Sequence, residues 1–93
     1  MIRHIVFWKF RPGTEGEQAR FFDGLRGLSG VIPELKSCEV CRSVPGGEYD
    51  AALTAEFDSL ADLERYQDDP RHRAVSALCK SIRTGRAAID LEL

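Results

Sequence analysis

Few residues of this chain can carry a proton near neutral pH: its only two histidines are His4 and His72, and Tyr66 stands shortly before the second. An imidazole titrating near neutrality can take a proton α to a carbonyl, and a phenol or second imidazole can donate to the enolate that develops. Those are the parts that an aldol, cyclisation or tautomerisation step requires. Each residue also has a plain structural use. A histidine on an apolar strand face serves as a hydrogen-bonded core residue, His72 near Pro70 can bond the preceding loop, and a helix-edge tyrosine buries its ring and wets its hydroxyl.

The three cysteines, Cys38, Cys41 and Cys79, read as free thiols. In a strand, Cys38 and Cys41 face opposite ways at roughly 10 Å, beyond the ~7 Å between Cα atoms that a disulfide tolerates. A zinc site on this C-E-V-C spacing lacks a fourth ligand unless His72 folds onto it, so no metal and no cofactor are expected. No nucleotide, flavin or haem motif is present.

Ninety-three residues, with 13 basic and 15 acidic, predict one domain over 1–93 and no field that gathers nucleic acid or anionic lipid. The apolar runs are too short to span a bilayer, and the N-terminus lacks an export signal, so a cytoplasmic location is expected. A domain this small buries about 60–65 % of its unfolded surface, and oligomerisation commonly adds the missing stability.

The elements that must position these residues begin at once. Ile2–Arg11 alternates as a strand, with Ile2, His4, Val6, Trp8 and Phe10 on one face and Arg3, Ile5, Phe7, Lys9 and Arg11 on the other. Large apolar groups on both faces require both to be covered. Thr14 and Glu17 have the spacing of a capping box, opening a helix whose apolar stripe is Ala19, Phe22, Leu25 and Leu28, flanked by Phe21, with Gly30 as its stop. Gly24 and Gly27 suggest close approach to the sheet or room left for something else.

Lys36–Val44 and Tyr49–Phe57 read as the second and third strands, separated by Pro45-Gly46-Gly47. Ser59 caps a second helix with Leu60, Leu63, Tyr66 and Gln67 on its inner edge, and Asp69-Pro70 starts a third carrying Val75, Leu78, Cys79 and Ile82 inward. Gly85 is expected to end that helix before a last strand over 87–93. The order β-α-β-β-α-α-β with right-handed crossovers predicts an α+β fold, a four-stranded antiparallel sheet ordered 4-1-3-2 with the helices on one face. Ile5 and Phe7 then project from the bare face, where exposure forgoes about 1.5–3 kcal/mol each. A homodimer packed sheet to sheet is the predicted cover.

The runs R-H-I-V-F-W-K-F, V-I-P-E-L-K-S, E-F-D-S-L-A-D-L-E-R-Y and D-P-R-H, with the F-F of the first helix, together resemble the stress-responsive α/β-barrel domain (Dabb) family over essentially the whole chain. The resemblance implies a ferredoxin-like core, pairing of two sheets into a barrel, and placement of the His4 face beneath the helices. The family includes a cofactor-free polyketide cyclase of aldol type, and His4, Tyr66 and His72 match its strand histidine, tyrosine and second histidine. That cyclase has a tyrosine where this chain has Leu25.

On this basis the candidate catalytic set is His72 as base, Tyr66 as positioning group and His4 as donor, with Val6, Trp8, Phe22 and Leu25 as walls for a small hydrophobic or aromatic ligand. Arg71, Arg73, Lys80, Arg83 and Arg86 make the C-terminal third basic and read as a solvated helix face, with an anion site as the alternative. Three functions are compatible with the pattern: proton-transfer enzyme, carrier of a small hydrophobic molecule, or stress-associated structural dimer. Oxygen chemistry, found on related dimeric folds, is a weaker fourth.

Overall fold

The computed structural model describes all residues from Met1 to Leu93. Seven elements follow the expected order: β1 (Ile2–Phe10), α1 (Glu15–Arg26), β2 (Ser37–Arg42), β3 (Ala51–Phe57), α2 (Leu60–Asp68), α3 (Pro70–Ile82) and β4 (Arg83–Glu92). They build one antiparallel sheet in the order β2-β3-β1-β4, which is 4-1-3-2 read from the opposite edge. The fold is ferredoxin-like, as expected. No helix is long and apolar enough to cross a membrane.

β1 lies between β3 and β4, with His4 opposite Ala55 on one side and Asp90 on the other. Its faces differ as the alternation requires: Ile2, His4, Val6, Trp8 and Phe10 are buried beneath the helices, while Phe7 on the opposite face is 37 % exposed. Ile89 and Leu91 of β4 share that bare face, because they pair with Ile5 and Arg3. The helix-side core is aromatic at one end, where the Phe21 ring meets Trp8 edge-on at 5.0 Å between centroids.

Several local expectations need correction. The Thr14–Glu17 capping box does not form; the Thr14 hydroxyl instead donates to the Arg11 carbonyl and accepts from Gln18 Nε2. Gln18, not Ala19, begins the buried stripe of α1, which continues through Phe21, Phe22 and Leu25 with Leu28 buried in the turn beyond, because Gln18 can satisfy its polar atoms on Thr14 and Arg42. The α-helix ends at Arg26, four residues short of Gly30, which takes a φ of +81° in the following turn. Gly24 gives close approach not to the sheet but to α3, since a Cβ there would lie 3.1 Å from a Val75 methyl.

On α2, Leu63 and Tyr66 are buried, but Leu60 and Gln67 are exposed. Ser59 Oγ accepts from the Asp62 N–H, as its N-cap position predicts. The largest boundary difference is at β4. α3 passes directly into the strand at Arg83, and Gly85 is the third residue of β4 rather than a helix terminator, packing beside the Lys9 stem.

Candidate functional site

A cavity of about 50 Å³ lies between the helices and the sheet. His4, Val6 and Trp8 of β1 form one wall with Leu53 of β3; Phe21 and Leu25 of α1 form another. α2 and α3 contribute Gln67, His72, Ser76 and Cys79, and β4 contributes Arg83 and Arg86. The two histidines therefore face one space. A volume of this size admits a few atoms, less than the ~150 Å³ that accommodate benzene.

His4 is 4 % exposed, and its Nδ1–H donates to Asp90 Oδ1 at 2.5 Å. The bond is a cross-strand contact, made possible because β1 and β4 place the two residues opposite each other on the helix-side face. A carboxylate on Nδ1 selects the tautomer and ring orientation, so Nε2 is the atom left for a ligand. Asp90 was not recognised as a site residue from sequence. Alternation alone sets Asp90 with Ala88 and Glu92, opposite the apolar row of Ala87, Ile89 and Leu91; only its pairing with His4 turns that polar row under the helices.

His72 occupies the first turn of α3. Asp69 caps that turn by accepting from the Arg71 N–H at 2.8 Å, and Pro70 supplies a first helical residue that needs no hydrogen-bond acceptor. The His72 Nδ1 lies 3.4 Å from the Gln67 carbonyl oxygen, a long contact. Burial lowers the imidazole's pKa below its ordinary value; the charges of His4 and Arg86 push the same way, against the Gln67 carbonyl and Asp69. His72 is accordingly held in its neutral form near pH 7, the form that accepts a proton.

Tyr66 is fully buried and does not line the cavity. Its ring packs on Phe57 at 5.0 Å and on His72 at 4.3 Å between centroids. The hydroxyl has no hydrogen-bond partner, and burial pushes its pKa far up, so it stays a neutral phenol. Tyr66 thus touches His72 from behind. Of the expected walls, Val6, Trp8 and Leu25 line the cavity; Phe22 does not, lying instead under the Arg42 guanidinium at 4.7 Å.

Two members of the expected solvated basic face, Arg83 and Arg86, line the cavity instead. Cys79, also on its wall, is buried, and desolvation raises its thiol pKa despite the nearby charges of Arg83 and Arg86. It is therefore a protonated wall residue. Cys38 is half-buried and Cys41 exposed, and nowhere are three or more His, Cys, Asp or Glu side chains grouped to hold a metal ion.

A four-stranded antiparallel sheet with helices on one face and a small cavity between them, lined by both histidines, defines a ferredoxin-like α+β protein. The sequence profile of the stress responsive A/B barrel domain, Dabb, matches residues 2–93, and the chain belongs to that family. An uncharacterized protein of Streptomyces coelicolor is 32 % identical over 89 residues, covering 90 % of this chain and 92 % of its own. A dimeric ferredoxin-like protein of unknown function from Thermobifida fusca superposes with a TM-score of 0.89 at 30 % identity, over 99 % of this chain and 90 % of that one. A dimeric protein of unknown function and ferredoxin-like fold from Bacteroides fragilis gives 0.88 at 28 % identity, over 99 % and 95 %.

Proposed function

We propose that this single domain works in the cytoplasm as a homodimer, paired through the bare sheet faces, whose cavity performs cofactor-free proton transfer on a small carbonyl compound. The observation that carries the reading is the placement of both imidazoles, His4 and His72, on the wall of one cavity. Neutral His72 takes the proton α to the carbonyl. His4 presents Nε2, the ring edge that Asp90 leaves free, to the carbonyl oxygen and donates to the enolate in the form that carries a proton there. Tyr66 packs on the His72 ring and holds its orientation, a positioning role.

Enolisation is the shared first step of aldol, cyclisation and tautomerisation reactions, and the cavity's size favours substrates that present only a short reacting end to it. The dimer is supported by the exposure of Phe7, Ile89 and Leu91 on the helix-free face and by the dimeric state of the solved relatives. The direct test is hydrogen–deuterium exchange at the α-carbon of pentane-2,4-dione and other small ketones, followed by NMR in D2O. Wild type should accelerate exchange above an equal concentration of imidazole, and His72→Ala should abolish the excess. Exchange no faster than with free imidazole sinks the enzymatic reading.

A second reading, a ligand-binding dimer without catalysis, draws on the Tyr66 hydroxyl's burial away from the cavity, which leaves the site one donor fewer than the expected trio. It predicts that ketones perturb cavity resonances without accelerated exchange.

A further inference from the structure

The direct passage from α3 into β4 gives the cavity a charge that the proton-transfer reading does not use. Arg83 caps α3 and opens β4; Arg86 follows three residues later. In register they stand opposite Phe10 and Trp8, both buried beneath the helices, and both arginines line the same cavity as His4 and His72. Arg83 is half-buried and Arg86 exposed, so the pair runs from the wall to the mouth.

Neither guanidinium takes part in any ion pair of the chain. No aspartate or glutamate lines the cavity, and the carboxylate nearest in register, Asp90, is engaged by His4. The half-buried Arg83 guanidinium, drawn partly out of water without a counter-ion, costs free energy, and exposed Arg86 at the mouth adds a second free set of donors beside the same cavity. Arginine cannot shed its proton to escape this cost, and its planar fork matches a carboxylate bidentately. An anion supplied by the ligand resolves the imbalance.

We propose that the cavity's ligand is a short oxo acid whose carboxylate is held by Arg83 and Arg86 while its carbonyl end faces His4 and His72. The proposal rests on the proton-transfer reading of the same cavity and names its substrate class. A compound with the carboxylate at the mouth and the carbonyl inward suits the ~50 Å³ available, because only the carbonyl end need enter. The same arrangement would hold the carboxylate's negative charge apart from the enolate forming between the imidazoles.

The test is an NMR titration of the intact protein with pyruvate and with pyruvamide, its uncharged isostere. Pyruvate should shift the His72 and Cys79 resonances and bind at least tenfold more tightly than pyruvamide. In Arg83→Gln/Arg86→Gln that preference should fall below threefold. Arg86→Gln alone, at an exposed position where folding is not at issue, should already weaken pyruvate severalfold without changing pyruvamide.

Equal affinity for the two compounds, or an unchanged preference in Arg86→Gln, overturns the oxo-acid assignment. If exchange of the neutral ketones remains histidine-dependent in that case, the proton-transfer reading survives without it. Conversely, selective pyruvate binding with no catalysed exchange on any ketone upholds the carboxylate site and removes the reaction. Binding of neither compound at the cavity overturns the assignment outright.

Discussion

β3 and β4 flank the same central strand and alternate with the same period, yet they are built inside out relative to each other. β3 sends Ala51, Leu53, Ala55 and Phe57 under the helices, each no more than 2 % exposed, and keeps Ala52, Thr54 and Glu56 on the bare face. β4 does the reverse. Arg86, Ala88 and Asp90 lie on the helix side, opposite Trp8, Val6 and His4, while Ala87, Ile89 and Leu91 form the apolar row on the bare face.

Position in the sheet explains the inversion. β3 is interior, with β1 and β2 on its two sides, so its helix-side row closes the core; β4 is an edge strand whose helix-side row borders the cavity and water. One strand supplies stability. The other supplies a polar cavity wall on one face and an apolar surface on the other.

The comparison is most severely challenged at Leu53. Truncation by Leu53→Ala should cost about 2–5 kcal/mol, the range for opening a cavity in a packed core, read as a lowered denaturation midpoint at unchanged slope. A loss below ~1 kcal/mol would mean that β3 is not the stabilising partner.

The matching change on β4 is Ile89→Asp, which places a charge on a residue 51 % exposed in the protomer. Protomer stability should hardly change. Because an isologous interface meets each substitution twice, the dimer's Kd should rise at least 100-fold, about 2.7 kcal/mol, as followed by light scattering across a dilution series. An unaltered dimer would place the interface elsewhere and leave the apolar row of β4 without its partner.

Asp90→Asn tests the other face of the same strand. The amide keeps the shape, but its neutral oxygen is a weaker acceptor for Nδ1–H than the carboxylate and holds the His4 ring less firmly. A stability loss of about 1 kcal/mol should accompany a tenfold or greater loss of catalysed α-proton exchange. Stability falling as far as in Leu53→Ala, with exchange intact, would make the His4–Asp90 pair a core contact only.

The contrast also shows what periodicity reveals and what it conceals. β1 was legible on both faces because large side chains on each side of a central strand leave no choice but two covers. β4 was harder: its apolar residues mark a buried row, but alternation alone does not say whether the core or a partner buries it. The helix ending at Ile82, earlier than Gly85 suggested, also moved Arg86 from the expected solvated basic face onto the cavity face of β4.

His4, His72, Val6, Trp8 and Leu25 were recognisable as cavity candidates, but Asp90 and the arginine pair depended on a cross-strand register that only the folded sheet supplies. In α1, Gln18 replaced Ala19 in the buried stripe through two side-chain partners distant from a simple hydrophobic pattern. Polar groups placed inward are visible only when their partners are.

The smallest effect belongs to His72 and separates core from cavity through pH. Its folded-state pKa lies below the unfolded value of about 6.5, chiefly through burial, so the unfolded chain takes up this proton first. Its contribution to stability is therefore fully present above that value, declines as pH falls through it, and levels off below the folded pKa. Asp69, held at about 2 by its Arg71 hydrogen bonds, acts in a different window: its stabilisation is present above the ordinary carboxylate range and disappears only as pH falls toward its folded value. Thermal melts of wild type and His72→Gln between about pH 7.5 and 5 should consequently diverge, with the wild type losing more Tm on acidification. Parallel curves would show that His72 protonates freely in the folded state, removing the neutral base and leaving β4's polar face to bind rather than to catalyse.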